Sequence, residues 1–128
     1  MTQKDKDLLL KDLCARLPYG VKGNYQNSDD ELLRKVTIMY RYLEPDGLVM
    51  TGDIKPYLFP LSSMTEEQKV YINTNPDGVY IQIFDNVVIS ASTNGFDNGF
   101  DWLNAHHFDY RGLIEKGLAI DATGLNIY

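Results

Sequence analysis

Apolar residues recur along this chain at two spacings, close to 3.6 near both ends and close to 2 in between. In DKDLLLKDLCARLPYG, Leu10, Leu13, Cys14 and Leu17 fall at i, i+3, i+4 and i+7, the stripe of an amphipathic helix. Pro18 cannot continue that helix and ends it. Cys14 lies on the stripe and reads as a small buried apolar residue rather than a reactive thiol. VKGNYQ then offers a short strand, and NSDDE a polar turn.

The spacing of 2 begins at Val36. Val36, Ile38, Tyr40 and Tyr42 alternate with Thr37, Met39 and Arg41, EPDG turns the chain, and LVMTGDI returns, which predicts a β-hairpin. Pro45 presets φ in the turn and Gly47 accepts a positive one. KPYLFPLSS is expected to run over the core as an extended connection instead of a central strand, because Pro56 and Pro60 lack ladder donors. Ser63 with Glu66 and Thr65 with Gln68 have capping-box spacing and predict a short helix. VYIQIF and VVISAS predict a second hairpin with Asp85-Asn86 at its turn.

Helical spacing returns in NGFDNGFDWLNAHHFDY, residues 94 to 110. Asn94-Gly95 turns the chain, Asp97 or Asn98 caps a helix starting near Gly99, and Asp101 sits in its first turn, where the helix dipole favours negative charge. Asp109 is placed to cap a second short helix, YRGLIEKG, with Gly117 in the left-handed position after it. The predicted fold class is α+β: a mainly antiparallel sheet of about five strands, able to curl into a small, partly open barrel, with an N-terminal helix and two short C-terminal helices. At 128 residues the chain suits a single domain, 1–128.

Composition changes this picture little: 44% apolar and 23% charged residues are those of an ordinary globular protein. No apolar run approaches the roughly 18 residues that span a bilayer, and MTQKDKDLLL is too polar for a secretory signal, so a cytoplasmic protein is expected. A single cysteine excludes an internal disulfide framework. The net charge of −6 opposes attraction to phosphate backbones. Residues 1–22 alone are basic, with five Lys/Arg against three acids, and the interleaved signs suit a solvated helix face.

The chemistry-bearing residues cluster at 97–109. Asp97, Asn98 and Asp101 offer oxygens around Gly99, but no register matches a calcium-binding loop. His106 and His107 are adjacent and project about 100° apart on a helix, so they cannot readily chelate one ion. His107 continues the stripe Phe100, Leu103 and reads as a packed histidine, with His106 at the edge beside Trp102. Hydrolase, phosphate-loop and dinucleotide fingerprints are missing, and no cofactor is implied. Two short helices in sequence outline a helix-turn-helix, yet Arg111 and Lys116 are few for DNA reading.

Three segments, KDLCARLPYGVK, DIKPYLFPLSSMTEEQ and WLNAHHFDYRGLIEKGLAIDA, together resemble a family of short uncharacterised proteins of anaerobic gut bacteria, often carried by prophages and mobile elements. The resemblance covers roughly two fifths of the chain. It implies an intracellular protein of unknown activity and carries no catalytic residue.

The function expected from the residues is binding, most simply to another protein. A sheet face rich in Tyr40, Tyr42, Tyr57, Tyr71 and Tyr80 would supply rigid contact area with polar ends, and Trp102 and His106 are further candidates. The plainer reading is that most of these tyrosines pack in the core. The alternative class is a small metal-dependent enzyme with His106, His107 and Asp109, and Asp101 beside them, lining a pocket.

Overall fold

The computed structural model describes residues 1–26, 34–65, 81–84, 87–91 and 98–128. Helix α1 (Gln3–Arg16) begins at a reciprocal cap. The Thr2 hydroxyl accepts the Asp5 N–H and the Asp5 carboxylate accepts the Thr2 N–H, which holds the Asp5 carboxyl below its usual range. The helix ends where Pro18 enters a short 3₁₀ turn over Leu17–Tyr19, and Gly20 reverses the chain at φ 69°.

Its inward face differs from the expected stripe. Leu9, Asp12, Leu13 and Arg16 are buried, whereas Leu10 and Cys14 are exposed and Leu17 is half-buried. Four inward positions at i, i+3, i+4 and i+7 satisfy helical geometry equally well when two of them are an ion pair.

Strand β1 (Lys22–Tyr25) lies antiparallel between β2 (Val36–Thr37) and β3 (Ile54–Pro60). Against expectation, β3 is the centre of a mixed five-stranded sheet, pairing in parallel with β6 (Phe108–Asp109) and β7 (Ile120–Asp121). The prolines fit because neither is asked to donate. Gln26 N–H bonds to the Asp53 carbonyl, so by antiparallel alternation Lys55 is the next bonded position and Pro56, opposite Gly23, falls in a non-bonded pair. On the other ladder Phe59 N–H donates to the His107 carbonyl, and Pro60 comes after that bond. Gly23 lets the strands close: a Cβ there would stand 2.7 Å from Ile54 Cγ2 and 2.9 Å from the Lys55 carbonyl. The sheet is open rather than closed into a barrel, and its parallel half departs from the mainly antiparallel expectation.

The predicted hairpin at 36–54 keeps its turn but not its strand pairing: its outer ends, Val36–Thr37 in β2 and Ile54 in β3, each pair with β1 instead of with each other. Gly47 N–H bonds to the Glu44 carbonyl as the EPDG turn requires, yet Tyr40–Leu43 forms a 3₁₀ turn and Val49 N–H folds back onto the Tyr42 carbonyl. The coil carries Leu43, Val49 and Met50 inward together and leaves Met39 and Tyr40 exposed, which a flat alternation cannot do. The second hairpin forms as predicted, β4 (Ile81–Phe84) with β5 (Val87–Ala91), in a separate two-stranded sheet with an irregular register at Gln82/Ile83. NSDDE, Tyr71, Tyr80, Asp85-Asn86, the first NGFD and both capping-box partners, Glu66 and Gln68, lie outside the described residues.

The main core joins α1 to the sheet through Leu9, Leu13, Val21, Ile54, Leu58 and Leu113. A second cluster, Leu61, Met64, Leu103 and Phe108, packs under Phe59, Trp102 and Tyr110. Among the described residues no helix is long and apolar enough to cross a membrane.

Candidate functional site

Helix α2 (Asn98–Ala105) starts one residue before the expected Gly99, with the candidate cap Asp97 outside the described residues, and stops at the two histidines. His106 N–H still bonds to the Trp102 carbonyl, while His107 takes φ 63°, the left-handed geometry that ends a helix, and bonds to the Asn104 carbonyl. That reversal sends the rings apart. His106 is exposed, stacks on Trp102 with centroids 4.0 Å apart, and brings Nδ1 to 2.9 Å from the Trp102 carbonyl, so the ring proton sits there. His107 is buried and stacks on Tyr128 at 3.5 Å and 11°.

Between the histidines runs an unbroken aromatic series. Trp102 lies 5.8 Å from Phe108, Phe108 6.2 Å from Phe59, and Phe59 5.9 Å from Tyr128. Phe108 is buried, Trp102 and Phe59 are half-buried, and His106 and Tyr128 reach the surface.

Burial lowers the His107 pKa to about 4, with the Arg16 charge adding to it, so His107 is neutral at pH 7. Among the described residues its Nδ1 has no hydrogen-bond partner, so none of them compensates a second ring proton. Burial likewise raises the Tyr128 phenol to about 12.

Asp109 is a cap, but of a turn rather than a helix. One carboxylate oxygen accepts the Arg111 and Leu113 N–H groups and the other the Ile114 N–H, and residues 113–117 close with Gly117 at φ 72°. The predicted second C-terminal helix is thus one capped turn. The arrangement leaves His106, His107 and Asp109 with separate tasks, and Asp101 is exposed. Among the described residues no three His, Cys, Asp or Glu side chains gather where they could hold a metal.

The tyrosines do not form one sheet face. Tyr40 is 67% exposed on the 3₁₀ turn; Tyr42 is half-buried against the main core with the Arg41 guanidinium over its ring. Tyr57 is buried and donates to the Arg34 carbonyl. Tyr42 thus belongs to the main core's rim and Trp102 to the second cluster with His106 stacked on it, while Tyr40 stands out from both.

A polar cluster beneath the corner was missed in the sequence. Asp12, wholly buried, accepts Arg16 Nε at 2.7 Å, Arg16 Nη2 at 3.1 Å and Arg111 Nε at 3.1 Å. Arg16 Nη2 also donates to the Phe108 carbonyl at 2.7 Å. Both guanidiniums lie about 5 Å from the centre of the Tyr110 ring, whose hydroxyl donates to the buried Asn104. This cluster bolts α1 to the corner and fixes the aromatic series above it. The spacing of Asp12 and Arg16 on the face of Leu9 and Leu13 is the signal that could have revealed it. No family model, curated protein or solved structure matches the chain.

Proposed function

We infer that this chain is a small cytoplasmic binding module whose partner is another protein, met at the corner of Trp102, His106 and Phe59. The observation that carries the reading is the aromatic series, buried at Phe108, half-buried at Trp102 and Phe59 and open at His106, because rigid rings on a fixed base bind with little loss of side-chain freedom. Tyr40 offers a second, separate contact. The net charge of −6 favours a basic partner and disfavours nucleic acid. The prophage resemblance supports a phage-related setting. A metal-dependent enzyme using His106, His107 and Asp109 is the weaker reading, since Asp109 commits both oxygens to backbone N–H groups.

The test is to isolate a partner from host lysate on the immobilised protein and titrate it against Trp102 emission. Trp102 is the only tryptophan, so binding at the corner is expected to shift its fluorescence. His106→Ala is expected to weaken the complex at least tenfold with the unfolding midpoint unchanged. A partner that leaves Trp102 emission untouched and binds His106→Ala equally well would place the function elsewhere.

A further inference from the structure

Tyr128 is held in the manner of a bound ligand. Its hydroxyl accepts the Lys22 N–H at 2.9 Å and donates to the Tyr57 carbonyl at 2.7 Å, while its ring lies between His107 and Phe59. Those contacts come from β1, β3 and the corner after α2, all distant in sequence from the tail. The segment after Ala122 is thinly attached. Thr123, Gly124, Leu125 and Asn126 are exposed, and the long-range bond described for them is Lys35 Nζ to the Asn126 carbonyl.

We propose that this slot is a receptor for an unmodified tyrosine side chain of a protein partner, and that Tyr128 occupies it in cis as a competitor. The occupant defines the ligand chemistry. Lys22 N–H needs an acceptor and the Tyr57 carbonyl needs a donor, and one phenol hydroxyl supplies both. Phenylalanine supplies neither and leaves two backbone groups unpaired. Phosphotyrosine cannot donate and would set its negative charge against the Tyr57 carbonyl.

The slot adjoins the aromatic corner through the half-buried Phe59, so a segment presenting its tyrosine here continues past Phe59 toward Trp102 and His106. Tethered by the few residues after Ala122, Tyr128 competes at an effective concentration on the order of millimolar. A lone tyrosine therefore displaces it poorly, whereas one carried on a segment that also covers the corner gains the extra contacts. The inference rests on the binding-module reading and names the partner's key side chain.

The experiment uses the full chain as wild type, Tyr128→Gly and Tyr128→Phe, with N-acetyltyrosinamide, its phenylalanine analogue and its phosphotyrosine analogue followed by NMR titration. Tyr128→Gly is expected to bind the tyrosine amide at least tenfold tighter than either analogue and tenfold tighter than wild type does. Tyr128→Phe keeps the ring but removes both hydroxyl bonds, and is expected to gain at least threefold over wild type, which covers the case of Tyr128→Gly failing to fold. A folded variant that takes the tyrosine and phenylalanine amides equally, or no better than wild type, overturns the proposal. That failure leaves the corner reading intact, because Trp102 emission with the whole partner reports on it separately. A selective slot with no corner response would instead sink the corner reading alone.

Discussion

Removing the Asp12 carboxylate should be among the costliest single changes in this protein. Asp12 is wholly buried and receives three charge-assisted bonds, two from Arg16, itself wholly buried, and one from Arg111, whose side chain is 22% exposed. In Asp12→Ala the Arg111 head can turn to water. Arg16 cannot, and among the described residues keeps one hydrogen bond, to the Phe108 carbonyl, and its place over the Tyr110 ring. Breaking a buried pair from one side costs about 3–5 kcal/mol, against a total stability of roughly 6–19 kcal/mol at about 0.05–0.15 kcal/mol per residue. Replacing both partners removes the stranded charge, so Asp12→Leu/Arg16→Met is expected to be less damaged than Asp12→Ala. Urea unfolding at pH 7, followed by circular dichroism and Trp102 fluorescence, measures all the variants. The difference should persist in 1 M NaCl, where an exposed pair would be screened. A loss below about 1 kcal/mol for Asp12→Ala, or a double variant equal to the sum of its singles, would refute the account.

Three other outcomes follow from the same structure. Asp109→Ala should cost about 1–2 kcal/mol by freeing three N–H groups, and Asp109→Asn less, since it keeps one acceptor oxygen; equal losses in thermal melts would contradict capping. His107 has a folded pKa of about 4 against 6.5 unfolded, so its contribution is present above pH 6.5 and lost as pH falls toward 4, by at most about 3 kcal/mol; His107→Asn, which tolerates the left-handed backbone, should flatten that slope in urea titrations between pH 4 and 7. Gly23→Ala should cost more than about 2 kcal/mol, because its Cβ would meet Ile54 and the Lys55 backbone at under 3 Å, and an unchanged unfolding midpoint would mean the strands yield.

What the sequence made legible was mostly local. The Pro18 stop, the Glu44–Gly47 turn, the start of α2, the second hairpin and the Asp109 and Gly117 positions each depend on a few neighbouring residues, and each stands at or beside its expected place. The errors share a different cause. On α1, hydropathy assigns Asp12 and Arg16 outward and so phases the stripe through Leu10 and Cys14; the inward ion pair satisfies itself only once folded against Arg111 and the Phe108 carbonyl. In β3, Pro56 and Pro60 count against a central strand until the register shows that neither position has to donate. At the site, the stacking of His106 on Trp102 was within reach of helical spacing. The slot around Tyr128 was not, because its walls come from β1, β3 and the corner.

The parallel pairing of β3 also sets a timetable for synthesis. Tyr57 waits for Ile120 and Phe59 for Phe108, separations of 63 (120 − 57) and 49 (108 − 59) residues. At about 5–20 residues per second, the ribosome takes roughly 3–13 s to deliver Ile120 after Tyr57. For that interval the middle strand of the sheet has one finished edge, against β1, and one set of open backbone groups beside Leu58, a side chain the finished protein hides completely. Loops this long close slowly, so refolding should be rate-limited by docking residues 108–121 onto β3. A nascent chain stalled before Phe108 would present a half-paired strand to its neighbours, making the later residues 108–121 the protein's own guard against association during translation.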